Sequence, residues 1–358
     1  MLAAVAFLVA CTSAQIVTER DAGADTNFDG GPDTAVPDGG CAPGVQVTGE
    51  PAGCVLDRWP PRPNCAPDEG DVGVIELALL EPRLRPSPEQ IGFDQDRVCS
   101  GAAGNPPSCM GTMQPDVSPG GIDNSMSSEI LPTVVLAVPN FEDLFIQGVA
   151  EGRGTPLLRI EGWNGEDDDA QVVATMAGAA VVPPAPLPLW DGTDVVPVAD
   201  SFFAAGLPTL QDTSAYVADG MLVMKWPDNQ SLAFEAGGTT VRIRFRNARM
   251  VAEIDLEADP IVRNATIFGR WLAADGIADL DLLGICEDSP DPRVQMLRTM
   301  AVLLLDGAVD LAADEDDDMV GGTAPCVAIS FAMHLQTSAR VMWGPEAPAV
   351  ILTPCDGT

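Results

Sequence analysis

Two short segments of the chain carry side chains that could bind a metal ion. Asp94 and Asp96 stand in IGFDQDRVC, and Asp123 and Asn124 stand in GGIDN. Calcium is bound in proteins by carboxylate and amide oxygens, usually about six to eight of them. The residue types therefore predict part of a calcium site if the fold brings the two segments together. The alternative is a set of ordinary Asx turns with a helix cap at Asp123.

A second group of residues mixes aromatic and polar side chains. Trp163 and Asn164 stand in GWNGEDDDA, and Trp190, Asp191 and Asp194 stand in WDGTD. Loops that bind sugars combine these residue types, so the two segments predict a glycan-binding surface. The alternative is that both tryptophans anchor the core and the polar residues form turns.

Common catalytic motifs are absent from the sequence. Its single histidine, His334, stands in the alternating segment SFAMHLQ, which is typical of a strand. The chain has no GxSxG, HExxH, GxxxxGK or GxGxxG motif. These observations favour a noncatalytic protein with a binding or structural role. A glycoside hydrolase is the alternative, because its chemistry needs only two carboxylates at the right separation.

The N-terminus has the features of an export signal. Residues 1–10 are apolar, and LVAC at residues 8–11 resembles the lipobox of bacterial lipoproteins. This pattern predicts a signal peptide over residues 1–10, removal of that peptide, and membrane attachment through lipid on Cys11. Thr12 favours the outer membrane by the usual sorting rule. Signal peptides begin with positive charge, which is missing here and suggests a start codon upstream of Met1.

The remaining cysteines indicate a disulfide framework. Apart from Cys11 the chain has Cys41, Cys54, Cys65, Cys99, Cys109, Cys286, Cys326 and Cys355. An even number in an exported chain favours disulfides, and the lack of a CxxC pair argues against a zinc site. The short Gly-, Pro- and Ser-containing loop between Cys99 and Cys109 predicts that these two are bonded. Such a bond would restrain the segments that carry the four candidate calcium ligands.

The charge balance excludes one class of partner. The chain has 53 acidic and 18 basic residues and a net charge of −35. Proteins that bind nucleic acids gain much of their affinity from Lys and Arg at phosphates, so a nucleic-acid partner is excluded. The acidic run at residues 314–318 is most simply interpreted as a solvated loop.

Composition divides the chain after the signal peptide into three parts. Residues 11–40 contain mainly Asp, Gly, Ala, Thr and Pro, which predicts a disordered acidic tether. Residues 41–70 are rich in Cys and Pro and predict a loop region held on the body by disulfides. Residues 71–358 are predicted to form the β-rich globular domain.

Alternating apolar and polar residues predict antiparallel strands. TTVRIRFRNARMVAEIDLE predicts a hairpin about residues 247–250 with a salt ladder of Arg244 on Glu253 and Arg242 on Asp255. The alternative function of the arginine stripe is an anion site. Asp219-Gly220 predicts another hairpin. Further strands are predicted at residues 74–80, 156–162, 171–176, 231–234, 265–269 and 328–335.

Helices are fewer, and they complete the predicted fold. A helix is predicted at residues 141–151, and a buried helix at residues 293–313. The uncharged residues 170–190 contain four prolines, which would break a spanning helix, so no transmembrane segment is expected. The pattern predicts a mainly β, jelly-roll-like antiparallel β-sandwich with a few appended helices and disulfide bonds.

Taken together, several segments resemble a family of uncharacterised predicted lipoproteins from myxobacteria-like bacteria. They are the lipobox, RWPPRPNC, IGFDQDRVC, GGIDN, LLRIEGWNGEDDDAQV, WDGTD, the residue 239–257 hairpin, IFGRW and APCVAIS. The resemblance implies a secreted or lipid-anchored β-rich protein of the cell envelope and no established activity. The expected partners are the membrane and a glycan or another envelope protein, with no cofactor other than calcium.

Overall fold

The computed structural model describes residues 59–65, 72–84, 91–98, 106–111, 121–182, 184–236, 239–319, 321–348 and 355. These residues all belong to one compact unit that spans residues 41–358. The predictions for residues 1–40, Cys11, Cys41, Cys54 and Cys99 lie outside the described residues.

Strands dominate the described part of the chain. They are β1 (Ile75–Arg83), β2 (Arg153–Glu161), β3 (Asp169–Ala180), β4 (Val195–Ala199), β5 (Phe203–Ala204), β6 (Leu207–Pro208), β7 (Gln211–Ala218), β8 (Met221–Lys225), β9 (Gln230–Ala236), β10 (Thr239–Ile254), β11 (Val262–Leu272), β12 (Ala328–Arg340) and β13 (Met342–Ala347). The α-helices are α1 (Leu131–Ala137), α2 (Phe141–Ala150), α3 (Ala273–Ala278) and α4 (Pro292–Gly307). The expectation of a mainly β protein with a few helices is confirmed.

The strands form a closed barrel, so the predicted sandwich is wrong. Eight strands follow one another in the antiparallel order β3-β2-β1-β12-β11-β10-β8-β7, and β7 pairs back with β3. Outside this ring, β4 and β13 extend from β3, and β9 pairs with β10. A sandwich and a barrel both need strands with a buried face, so alternation does not distinguish them. The β3–β7 pairing, between distant parts of the chain, decides the architecture.

Buried side chains lie on both faces of part of the barrel wall. Val217, Leu222 and Met250 belong to the main hydrophobic core. Their neighbours on the opposite face, including Tyr216 and Val223, belong to a second cluster. The main core also contains aromatic contacts, in which Trp226 and Phe331 pack edge-on against Phe245 at centroid distances of 5.3 and 5.2 Å. Layers on both faces explain why these strands are more apolar than a wet-faced sheet requires.

The Asp219-Gly220 hairpin is confirmed. Ala218 pairs with Met221 across the turn. Asp219 and Gly220 have φ angles of 51° and 71°, the left-handed conformation that a tight two-residue hairpin turn requires.

The hairpin predicted about residues 247–250 is wrong, because β10 continues through it. The first half of β10 pairs with β9, and the second half pairs with β8. Asn247 has a φ of 47°, and the register against β11 shifts between Arg246 and Arg249. The chain therefore bends at this point without reversing, and each half meets a different partner.

The predicted salt ladder is wrong for the same reason. Arg242 pairs with Asp279, and Arg244 pairs with Asp275 at 2.6 Å. These acids lie in α3 and in the 3₁₀ turn that follows it, not on a facing strand. The two arginines therefore attach this helical segment to β10.

The two predicted helices have different outcomes. The helix expected at residues 141–151 is confirmed as α2. The second, α4, ends at Gly307, and the prediction of burial is wrong. Met296, Met300 and Leu303 are exposed on one side of α4, whereas Leu305 is buried. Within the described ranges, no helix has the length and apolar character needed to cross a membrane.

Disulfide bonds are present, but the predicted pair is wrong. Cys109 is bonded to Cys326, and Cys286 is bonded to Cys355. Cys65 is also disulfide-bonded. Cys109 lies beside residues 324–326 because Met110 N donates to Ala324 O at 2.7 Å and Cys326 N donates to Met110 O at 2.9 Å. A short loop favours closure, but these backbone contacts bring a distant cysteine to Cys109 instead.

Residues 59–62 cover the outer face of the barrel. Trp59 packs on Phe268 with a centroid distance of 5.4 Å. The Tyr216 hydroxyl donates to Pro60 O at 2.7 Å, and the Arg62 guanidinium lies 4.9 Å from the Tyr216 ring centre. The described part of the region predicted to be held on the body therefore packs against β7 and β11.

Titration of Tyr216 should report this packing. Burial raises the pKa of Tyr216 to about 12, against a smaller opposing effect of the Arg62 and Arg249 charges. Because the chain has one tyrosine, absorbance at the tyrosinate wavelength follows this residue alone. The folded protein should ionise near pH 12, and the urea-unfolded protein near about 10. Because the folded pKa is the higher one, the neutral hydroxyl stabilises the fold fully below about pH 10, and this contribution is lost as the pH rises through the folded pKa of about 12. Folded-state ionisation near the unfolded value would contradict the packing.

Candidate metal centre

The two segments predicted to carry metal ligands meet on the outer face of the barrel, over β12. The Asn124 side chain donates to Ile91 O at 2.8 Å, and its oxygen accepts from Ala332 N at 3.3 Å and Ser127 N at 3.2 Å. Asn124 therefore joins the first segment, the second segment and the strand. Its amide is used in backbone hydrogen bonds rather than directed as a ligand.

Other contacts hold the same junction. The Gln95 side chain donates to Asp123 O at 3.1 Å and Phe331 O at 3.4 Å. Gly92 allows the close approach, since its φ is +135° and an added Cβ would lie 2.9 Å from Ile122 Cγ2. The segments are thus positioned by packing and hydrogen bonds, without the Cys99–Cys109 bond that the sequence suggested.

Three of the four predicted ligands converge in a buried cluster. One carboxylate oxygen from each of Asp94, Asp96 and Asp123 lies within 4.8 Å of the other two. The residues are 0%, 2% and 2% exposed. Two oxygens bound to one calcium ion at about 2.3–2.6 Å can be at most about 5 Å apart, so this separation fits a shared ion.

Backbone hydrogen bonds orient the carboxylates. Asp123 Oδ2 accepts from Gln95 N at 2.6 Å and Asp96 N at 3.2 Å. Asp94 Oδ1 accepts from Arg97 N at 2.6 Å, and Asp96 Oδ1 accepts from Val98 N at 2.7 Å. The Asx turns named as the alternative are therefore present. They do not compete with a metal site, because a carboxylate has about four acceptor positions and an Asx turn uses one.

The donor types in the cluster suit a hard cation. Ionised carboxylates that share a buried site repel one another and raise the cost of ionisation. Buried charges are normally paired, hydrogen-bonded or bound to metal. Oxygen donors without sulfur or imidazole match calcium, magnesium or manganese. The arrangement can therefore hold a hard divalent cation.

A buried ion pair supports the loop that carries two of these acids. Arg270 Nη2 donates to Gln95 O at 2.9 Å, and Nη1 donates to Ala312 O at 3.0 Å and to Asp318 Oδ2. The Arg270 and Asp318 side chains are 1% and 0% exposed. Sequence reasoning missed this pair, because Asp318 ends an acidic run that has the composition of a solvated loop.

The solvated-loop interpretation is also wrong for Glu315. Its two carboxylate oxygens accept from Arg249 at 3.0 and 3.2 Å. Burial alone would raise the pKa of Glu315, but the hydrogen bond and charge of Arg249, with the charges of Lys225 and Arg97, lower it overall. Arg249 also lies 4.4 Å from the centre of the Trp59 ring. Two acids of the run therefore attach it to the barrel.

The first predicted sugar-binding segment forms a tight turn. Trp163 is buried, and its indole N–H donates to Glu166 O at 3.0 Å. Asn164 N donates to Asp169 Oδ2 at 2.9 Å, and its side chain donates to Asp168 O at 3.2 Å. These contacts match the core-anchor alternative for Trp163.

The second segment lies elsewhere on the barrel. Trp190 N donates to Asp194 Oδ2 at 2.6 Å, and the Trp190 indole donates to Ala150 O at 2.7 Å. Asp191 accepts from Thr193, and the side-chain hydrogen bond of Thr193 lowers the pKa of Asp191. Ala150 precedes β2 and Trp163 follows it, so the tryptophans lie at opposite ends of a strand about 26 Å long. The structure does not bring the two segments together.

His334 lies in β12, as its alternating segment predicted. Its Nδ1 is 3.2 Å from Thr266 Oγ1 on the neighbouring strand β11. This is a cross-strand contact in the barrel wall.

Comparison with known proteins gives no further guide to the site. No protein-family model, no curated protein and no solved structure matches the chain. The resemblance to myxobacterial-type lipoproteins accordingly stays a prediction from the sequence motifs.

Proposed function

We propose that the protein is a noncatalytic binding or structural module of the cell envelope, attached by lipid on Cys11 and stabilised by calcium. The observation that carries the calcium part is the buried convergence of Asp94, Asp96 and Asp123 within 4.8 Å. Their positions on two separate segments mean that one ion would join residues 91–98 to residues 121–125. Calcium would then stabilise the outer layer of the barrel.

The envelope part of the proposal is supported by the cysteines. Disulfide bonds persist in oxidising compartments outside the cytosol, and Cys109–Cys326 and Cys286–Cys355 are bonded. The lipobox-like LVAC segment ending at Cys11 is the proposed site of the lipid anchor. A glycan or another envelope protein is the partner class proposed for the module.

The carboxylate cluster does not favour a glycoside hydrolase. The two catalytic carboxyl groups of such enzymes are about 5–9.5 Å apart and must reach the glycosidic bond. The three acids here are almost fully buried, so a sugar could not reach them. Their geometry fits a small ion better than a sugar.

Calcium should raise the stability of the protein. Metal-free protein would be unfolded with urea in a chelator, in calcium and in magnesium. A ligand present at about 100 times its Kd stabilises the folded state by about 2.7 kcal/mol, so the calcium curve should move by this order. The magnesium curve should move less, because magnesium requires a tighter octahedral shell.

Two matched variants make the calcium test specific. Asp94→Asn removes one ligand charge but retains an oxygen that can accept from Arg97 N. It should lose most of the calcium shift. Asp316→Asn, at an exposed acid, should keep the full shift. No calcium shift in the wild type, or equal shifts in both variants, would reject the site.

Intact-mass spectrometry tests the proposed lipid anchor on Cys11. Protein purified from its native membrane should carry the added mass of a diacyl or triacyl group, and this mass should disappear in Cys11→Ala. The other cysteines should show no free thiol until the protein is reduced. An unlipidated chain with free thiols would reject the envelope assignment without bearing on calcium.

A further inference from the structure

Ser330 of β12 holds the second metal-bearing segment by its backbone. The Ser330 hydroxyl oxygen accepts from Ser125 N at 2.7 Å, and the two residues are 0% and 4% exposed. Ser125 comes directly after Asp123 and Asn124 in the chain. Further along the same strand, Ala332 N donates to Asn124 Oδ1 at 3.3 Å. Strand β12 therefore fixes the chain immediately after the candidate ligand Asp123.

Asp310 determines which way the Ser330 hydroxyl points. One carboxylate oxygen of Asp310 accepts from Ser330 N at 2.7 Å, and the other accepts from the Ser330 hydroxyl. A serine hydroxyl has one hydrogen to donate and two lone pairs. Because the hydrogen is donated to Asp310, a lone pair is left to face Ser125 N. The carboxylate thus selects the arrangement in which Ser330 holds the metal-bearing segment.

The loop after α4 carries Asp310 and also makes a second contact with Ser125. Asp310 N donates to Ala328 O at 3.0 Å, which attaches the loop to the start of β12. The Ser125 hydroxyl donates to Ala308 O at 2.5 Å. Ser125 is therefore bound through its N–H to β12 and through its hydroxyl to the loop. Neither Ser330 nor Asp310 is one of the three acids whose oxygens converge, so both act on the centre from outside it.

We propose that Ser330 and Asp310 are positioning residues of the candidate metal centre and that they set its affinity for calcium. This inference rests on the proposed calcium binding and deepens it. Without the Ser330 contact the backbone at Ser125 can move, and the Asp123 carboxylate then loses its fixed position relative to the other two acids. Residues that orient metal ligands without touching the ion typically contribute about tenfold to a hundredfold to metal affinity.

Calorimetric titration of metal-free protein with calcium chloride tests the role of Ser330. Ser330→Ala removes the acceptor for Ser125 N and should raise the calcium Kd about tenfold. Ser338→Ala is the matched control, because Ser338 is another buried serine of β12 and its hydroxyl accepts from Val262 N at 3.1 Å. Both variants deprive a backbone N–H of its acceptor, so both should lower the stability of metal-free protein in urea. Only Ser330→Ala should change the calcium Kd.

A double variant tests whether Asp310 acts through Ser330. Asp310→Asn has one carbonyl oxygen in place of two carboxylate oxygens, so it cannot accept equally from the N–H and the hydroxyl of Ser330. It should also raise the calcium Kd, and combining it with Ser330→Ala should add little, because the two residues act through one contact. If the two effects on the Kd multiply, Asp310 does not act through Ser330 and its positioning role is rejected.

The two possible failures are distinguishable. If the calcium Kd is unchanged in Ser330→Ala, or if Ser338→Ala raises it equally, the positioning role is rejected while calcium binding itself is confirmed. If the wild type does not bind calcium in the same titration, the metal centre is rejected and this inference with it.

Discussion

Replacing Arg270 with methionine should lower the free energy of unfolding by about 3–5 kcal/mol. The guanidinium is 1% exposed and donates to Asp318, whose side chain is 0% exposed. Removing it leaves a buried carboxylate without its cation, and also removes the hydrogen bonds to Gln95 O and Ala312 O. Methionine has a similar length, so lost packing is a small part of the effect.

Urea unfolding of matched variants measures this effect. Arg263→Met is the control, because Arg263 lies 3.9 Å from Asp255 and both side chains are about half exposed. An exposed pair contributes about 0–1 kcal/mol, so the control should change little. Arg270→Met combined with Asp318→Leu should regain part of the loss, since no buried charge remains. If Arg270→Met and Arg263→Met lower the free energy of unfolding by similar small amounts, the buried Arg270–Asp318 pair does not stabilise the fold.

The same variant should affect the candidate metal centre. Arg270 holds the backbone of Gln95, the residue between Asp94 and Asp96. Without that contact the two acids are less well positioned, and the calcium-dependent shift in stability should become smaller. Arg263→Met should retain the full shift.

Removal of the Cys109–Cys326 disulfide should cost about 2–5 kcal/mol. The bond joins residues 217 positions apart, so it strongly limits the unfolded chain. Replacing both cysteines with alanine avoids a reactive free thiol. The Cys286–Cys355 bond spans 69 positions, and the chain-entropy relation makes its removal less costly by about 1 kcal/mol. Denaturant unfolding without reductant compares the two double variants, and a larger loss for the shorter loop would contradict the entropic explanation.

Local features of the sequence predicted those elements that the local residues determine by themselves. Asp219-Gly220 identifies its hairpin because the turn itself requires positive φ angles. The alternating pattern from Arg242 to Glu253 predicted a second hairpin on equally clear grounds, but that hairpin is not formed. One strand with a bend at Asn247 produces the same alternation as two strands of a hairpin. The two cases differ only in which strands pair with each half, and here β9 pairs with the first half of β10 and β8 with the second.

The sequence predicted the acidic residues of the candidate metal centre but not the contacts that position them. Asp94, Asp96 and Asp123 were identified because carboxylates are calcium ligands, and the fold brings them together. The sequence could not indicate that Asn124 would be used in backbone hydrogen bonds, because an amide can serve either purpose. The supporting Arg270–Asp318 pair was missed because its partners are 48 residues apart and the acid lies in a charged run.

The pairing of β1 with β12 also constrains how the protein reaches its native state. Leu77 pairs with Arg340, so the first and nearly the last strands of the barrel are neighbours. Contacts between such distant residues form slowly, because a long loop must be ordered before they form. In whichever compartment the chain folds, β1 has no β12 to pair with until the residues up to about 340 are present. During that interval β1 is an open edge on which chains can aggregate. A chaperone that covers β1 until β12 is available should therefore raise the yield of folded protein more than changes to any single contact.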